Sequence, residues 1–298
     1  MIRNKGALIA QFCAVTFMYC IIGNIFWKAA EYEDVDGSME SVVFVTTRHF
    51  GLITFIAIGS MFGLAQENML NFPVERPIFL REYAGGTYNA APYFFSKLMI
   101  ETPRAFIVVT LIYLITYWMV GFNGSFVVMA GITTLFGLVA ASVTLIIGAM
   151  VTNVEVGIQL TPLVFVPQLL FAGFYIPIDD IPVYMRWAQY LCSLKYAVNL
   201  LLIEEMKDLP SSWPSDYNTS LYTRAVFGCN EIDSDYNCIG DRDIVGIPGT
   251  SDTTDFGLFP RTDVFYDQRF TYVGILLGIF VAFRLGSLAI LVHKAKNF

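Results

Sequence analysis

The chain has 298 residues, of which 56% are apolar and 14% charged, and a formal net charge of −7. Soluble domains carry roughly a quarter charged residues, so this composition excludes a water-soluble globular fold and points to an integral membrane protein. The acids cluster in 31–40 and 204–267, and without a dense Lys/Arg surface nucleic acid is excluded as a partner.

In chain order, 6–27 is uncharged and long enough for a spanning helix. Its basic start could also open a signal peptide. The run exceeds a usual signal core and lacks a clear small-residue cleavage site, so a permanent helix is the preferred reading. A second span is expected over 45–66, with Arg48 at its boundary, where the stem can snorkel. Residues 67–94 are charged and form an aqueous segment. From Ala105 to Val154 no residue is charged, a stretch too long for one crossing and broken at Gly121-Phe122-Asn123-Gly124-Ser125. It therefore divides into spans over 95–120 and 126–151. A fifth span is expected over 156–176 and a sixth over 271–292.

Between the last two lies 177–269. Its first part, 181–206, is amphipathic and too charged for a seventh crossing, so it reads as a re-entrant or interfacial helix pair. The remainder is a polar loop. The fold class is thus an all-α membrane protein with six transmembrane helices, a re-entrant or amphipathic external segment and a polar external loop. Arg3 and Lys5, the 72–104 segment, and Lys294 and Lys296 fall on one side, which the positive-inside rule makes cytosolic, with both termini. The 177–269 loop then lies outside. It holds a glycosylation sequon at Asn218 and two cysteines, Cys229 and Cys238, which an oxidising compartment allows to pair or to remain free thiols. Asn123 also opens a sequon, but in a turn too short to reach a luminal enzyme. Cys13, Cys20 and Cys192 read as small apolar residues.

No phosphate-cradling loop, zinc-protease helix or nucleophile elbow occurs, and two separated histidines, His49 and His293, read as membrane-interface residues rather than metal ligands. No catalytic residue and no metal site is expected. Arg284 lies in mid-span, where a charge costs on the order of 3 kcal/mol. A buried structural partner is preferred there over a substrate role or snorkelling.

The run Phe72-Pro73 with Glu75, then Phe79-Leu80-Arg81-Glu82, then Tyr93-Phe94 with Lys97, Glu101 and Pro103 resembles the first cytosolic loop and third helix of ABCG-type (White and sterol-exporter) ABC transporters. Further matches follow in order. They are Leu145 to Ala149, Phe171-Ala172-Gly173-Phe174, Ile181-Pro182 with Trp187, Tyr190 and Tyr196, the Cys229 and Cys238 pair, and Phe283-Arg284-Leu285. Together they cover nearly the whole length.

The resemblance implies an ABC-2 type transmembrane domain over 1–298, in a membrane-spanning half of an ATP-driven exporter of lipophilic or amphipathic substrates working by alternating access. The alternative is a non-transporting scaffold that dimerises with an ABCG partner. Family members carry an ATP-binding domain before the membrane domain, and the sequence given has none. The expectation is a fragment, a truncated gene product, or a chain served by an ATPase encoded elsewhere, with no ATP hydrolysis of its own. ATP and magnesium would then belong to a partner nucleotide-binding domain, and this chain would need no cofactor.

The implied partners are that domain, a second transmembrane subunit, a lipophilic substrate and membrane lipid, in a plasma or internal membrane. The resemblance also implies roles. A short coupling helix around 77–85 docks the ATPase through Glu75, Arg81 and Glu82, with Phe79 as apolar anchor; plain solvation of a loop is the competing reading. Lys97, Glu101 and Arg104 form a charged network at the cytosolic boundary. Met61, Phe62, Val164, Phe165 and Gln168 line a substrate cavity, and Phe174 and Tyr175 form a plug above it, against the competing reading of packing or lipid contact. Cys229 and Cys238 match the family's loop disulfide.

Overall fold

A computed structural model describes residues 5–27, 39–85, 90–151, 153–172, 181–206 and 269–296. These are helical, with no strand among them. The helices are α1 (Lys5–Ile25), α2 (Met39–Ala84), α3 (Ala90–Val120), α4 (Phe126–Met150), α5 (Val154–Phe171), a 3-10 turn (Arg186–Leu191), α6 (Ser193–Met206) and α7 (Arg269–Lys296). Five stretches among the described residues are long and apolar enough to cross a bilayer: Thr47–Phe72, Pro92–Val120, Phe126–Met150, Val154–Phe171 and Arg269–Ala295. Gln11–Ile25 is a shorter apolar helix. The protein is an all-α integral membrane protein.

Helix α2 departs most from expectation. No break separates a coupling helix near 77–85 from the second span; one helix of 46 residues runs through both. Pro73 and Pro77 each remove a backbone donor, which ordinarily ends or kinks a helix. Side-chain packing outweighs that loss. Phe72, Phe79 and Leu80 from α2 meet Phe94 of α3, Leu145 and Ala149 of α4, and Leu291 and Ala295 of α7 in one buried cluster. Gly148 makes the approach possible, since a Cβ there would lie 2.8 Å from Phe72 Cδ1. Small residues at such contacts let helices close up where lipid offers no hydrophobic drive toward association.

The chain divides into two compact units. One gathers Met1–Phe55, Ile107–Ala130 and Asn199–Arg269; the other Ile56–Phe106, Gly131–Val198 and Phe270–Phe298. In the first, α3 stops at Gly121, whose φ of 82° only glycine adopts without strain. The Gly121 and Phe122 amides both donate to the Tyr117 carbonyl, at 3.1 and 3.3 Å, closing the helix end.

Within 181–206, where a re-entrant or interfacial helix pair is expected, α6 is largely buried. Leu194, Lys195, Asn199, Leu202 and Glu205 are all buried. Two of its polar side chains have internal partners, Lys195 Nζ donating to Gln189 Oε1 at 3.0 Å and Ser193 Oγ to Gln168 Oε1 at 2.9 Å, while both side-chain polar atoms of Asn199 are buried without one. A helix whose charges are matched inside the protein needs no wet face.

Candidate functional site

Three ion pairs dominate the second unit. Lys97, Glu101 and Arg104 recur at helical spacing and share one face of α3. Each finds an opposite charge on a neighbouring helix. Lys97 Nζ lies 2.7 Å from Glu75 Oε2 of α2 and 4.6 Å above the Phe72 ring. Arg104 pairs with Glu67 of α2, and Glu101 pairs with Arg284 of α7. The six charges cancel, and Lys97, Glu101 and Arg284 are buried. Arg284 also stacks over the Phe280 ring at 5.5 Å. The satisfaction is incomplete: Glu101 Oε1 and the Arg284 Nε and Nη1 atoms are buried without a hydrogen-bond partner. Such half-satisfied polar groups mark a place where a contact is made and broken, or where water enters.

At the end of α2, Arg81 and Glu82 are exposed while Phe79 is buried. Phe79 stacks against Tyr93 at 4.6 Å between centroids. It therefore anchors the elbow to the chain's own helices instead of offering an apolar knob to a partner, which corrects that expectation. The exposed apolar residue beside Arg81 is Ile78, at 58%.

Higher on α2 a pocket of about 190 Å³ opens against α5, lined by Phe62, Gln66, Met69, Ile158, Thr161 and Pro162. Phe62 and Phe165 meet edge to face at 5.7 Å. At Gly157 α5 passes close to Met69, whose methyl a Cβ there would displace. Of the expected cavity residues only Phe62 lines this space. Met61 and Phe165 are fully buried, Gln168 is engaged by Ser193, and Val164 is outside the lining. The spacing Phe62, Gln66, Met69 against Ile158, Thr161, Pro162 is the helical signal that identifies the lining.

The first unit holds a cluster that sequence reasoning missed. Glu205 of α6 accepts from the Asn123 and Gly124 amides, at 3.0 and 2.9 Å, and Glu204 accepts from the Ser125 amide at 3.0 Å. These amides lie in the turn that leads into α4, and that of Ser125 is at the helix's N-terminal cap position. His49 Nδ1 sits 3.1 Å from Glu205 Oε1, with the ring edge-on to Phe122 at 5.7 Å. His49 is buried, so the expected interface role is corrected: it belongs to this clamp. Nearby on the chain, burial pushes the Cys192 thiol up to about 11, partly opposed by the Lys195 charge. At pH 8 its maleimide labelling is expected to run about 100-fold slower than that of a free thiol, because reaction needs the thiolate. A Cys192-only variant labelling at the free-thiol rate would refute this.

With this geometry in place, comparison with known proteins is informative. Residues 1–206 match the family described as ABC-2 type transporter. The chain belongs to the ABC-2 type transporter family. It is 33% identical over 232 residues to the ABC transporter ATP-binding protein/permease wht-1 of Caenorhabditis elegans, covering 77% of this chain and 33% of that protein. It is 27% identical over 166 residues to ABC transporter G family member 1 of Dictyostelium discoideum, covering 53% of this chain and 21% of that one. It is 27% identical over 192 residues to ABC transporter G family member 7 of Arabidopsis thaliana, covering 63% and 25%. The matched stretch spans a third or less of these relatives' lengths.

Within this ABC-2 type membrane domain, the ion-pair helices α2 and α3, the pocket and the clamp residues Glu204 and Glu205 all fall inside the matched range, and Arg284 lies beyond it. Phe174, Tyr175, Asn218, Cys229 and Cys238 lie outside the described residues.

Proposed function

We propose that the chain is the membrane-spanning half of an ATP-driven, ABCG-type exporter of lipophilic or amphipathic substrates. The observation that carries this reading is that α2 is a single unbroken helix bearing both the pocket residues Phe62, Gln66 and Met69 and the exposed Arg81 and Glu82. Met69 and Arg81 are twelve residues apart, about 18 Å along a helix. A push at the charged end is delivered to the pocket wall without a joint to absorb it. The pairs to α3 and α7 carry the same displacement sideways.

In this reading Arg81, Glu82 and Glu75 face a nucleotide-binding domain that holds ATP and magnesium, with 67–94 and both termini in the cytosol. The chain crosses six times, in a plasma or internal membrane. The 177–269 lobe lies outside, with Cys229 bonded to Cys238 and Asn218 glycosylated, and Phe174 and Tyr175 close the cavity above Phe62.

A pocket of about 190 Å³ is smaller than the roughly 300–1,000 Å³ of drug-sized sites. Exposed Leu163, Val166 and Leu170 on α5 leave that helix largely uncovered by its own chain. A second subunit against α5 would enlarge and close the space, and its apolar lining suits a sterol, a lipid or a flat amphiphile over a sugar. Alternating access requires that substrate bind the inward and outward states unequally.

The test is co-expression with an ABCG nucleotide-binding domain. Sterol- or drug-stimulated ATP hydrolysis is expected in the parent and lost, by tenfold or more, in Arg81→Ala with Glu82→Ala. Full stimulation in that variant removes the coupling role. Assembly without stimulation by any lipophile tried would favour the scaffold reading.

A further inference from the structure

The C-terminal end of α4 draws two cations. Arg76 Nη1 donates to the Val151 carbonyl at 2.6 Å, and Lys294 Nζ donates to the Met150 carbonyl at 2.7 Å. One cation is what a helix end calls for, since its unpaired carbonyls amount to about half a negative charge. Two exceed that by about 1.5 charges. Among the described residues no acid pairs with either cation. Glu75, the neighbour of Arg76, is held by Lys97, and Glu155 in the first turn of α5 makes no ion pair among the described residues. Arg76 Nε is buried with no hydrogen-bond partner. Capping therefore accounts for one of these side chains and leaves a donor and a charge over.

The depth of the pair decides the occupant. The apolar stretches Phe126–Met150 and Arg269–Ala295 both finish here, so the cations stand where hydrocarbon gives way to headgroups. Met150 is 60% exposed beside them, offering apolar contact to an acyl chain that a soluble anion could not use. Lys and Arg near a membrane surface bind anionic headgroups by the same arrangement. We propose that Arg76 and Lys294, at the end of α4, form a binding site for the phosphate of an anionic lipid headgroup.

Arg76 lies on α2, yet the binding test involves neither ATP hydrolysis nor transport, and it needs none of the topology: the bilayer used is symmetric, so either orientation gives the same result. The full chain is placed in phosphatidylcholine nanodiscs, and binding of a fluorescent phosphatidylinositol phosphate is measured by energy transfer. Arg76→Gln and Lys294→Gln are each expected to weaken binding about fivefold, and the double variant about 25-fold, which corresponds to about 1 kcal/mol per basic residue at an anionic surface. Arg76→Lys with Lys294→Arg is expected to bind within about twofold of the parent, and added salt to weaken the parent more than the double variant. Thermal unfolding of each variant, in pure phosphatidylcholine and with the anionic lipid present, reports folding separately.

Equal affinity for phosphatidylcholine and the anionic lipid overturns the proposal. So does a double variant that binds the anionic lipid unchanged. A double variant less stable in both lipids to the same degree reduces the pair to helix capping and also overturns it. Inorganic phosphate that displaces the lipid at equal concentration, through both side chains, overturns the lipid assignment.

Discussion

Replacing Glu101 with alanine is expected to cost about 3–5 kcal/mol of stability, the penalty for leaving a buried charge without its partner. The orphan is Arg284, which is 8% exposed and lies on the far helix of the pair. A guanidinium cannot shed its proton, so it must drag in water or shift toward the boundary. Arg284→Met leaves the carboxylate instead, and a carboxylic acid can escape by taking up a proton. The arginine variant should therefore be milder, by about 1–2 kcal/mol, than the glutamate variant.

Glu101→Leu with Arg284→Met replaces the pair with apolar volume and is expected to recover most of the loss, as buried ion pairs often can be exchanged for packing at little net cost. Unfolding of the purified chain in nanodiscs measures all four. Destabilisation in the double equal to the sum of the two singles would show that the side chains do not depend on one another. If the pair transmits motion, the stable double variant should assemble with a nucleotide-binding domain yet lose stimulated ATP hydrolysis.

The second large effect is expected at Glu205. Its carboxylate accepts from two backbone amides and faces His49, and it is 1% exposed. Glutamine keeps the shape but offers one acceptor oxygen, and its amide group would confront a donor. With buried donors left unmet at about 1–3 kcal/mol each, Glu205→Gln is expected to lose about 2–5 kcal/mol. Glu204→Gln, which disturbs one exposed hydrogen bond, should lose well under 1 kcal/mol. Hydrogen exchange locates the damage: the Asn123 and Gly124 amides should exchange faster in the Glu205 variant and little faster in the Glu204 variant. Equal protection of 123–124 in parent and Glu205→Gln would mean the clamp does not hold the turn.

These two clusters also mark where reading a sequence stops. The amide clamp rests on contacts some 80 residues apart and the Glu101–Arg284 pair on one 183 apart. Helical spacing along α3 shows that Lys97, Glu101 and Arg104 share a face, yet says nothing about which helix supplies each counter-charge. Glu67 stands just past the second expected span, and nothing local in the sequence points to Arg104 as its partner. His49 was misjudged for the same reason: a lone histidine near a span end carries no sign of an acid waiting across the fold. The pocket is a milder case, because Phe62, Gln66 and Met69 follow the helical period and a stricter use of it would have separated them from Met61.

Composition, run length and the position of charge suffice to make this an all-α membrane protein and to break 105–154 into two helices at a glycine-rich turn. Those properties depend on transfer between water and lipid, which each segment decides for itself, residue by residue. The continuity of α2 through two prolines, the inward turn of Phe79, the burial of α6 and the pairing of its acids depend on neighbours brought from distant parts of the chain. Packing and charge pairing are properties of surfaces that exist only once the helices have met, and so the folded arrangement alone decides them.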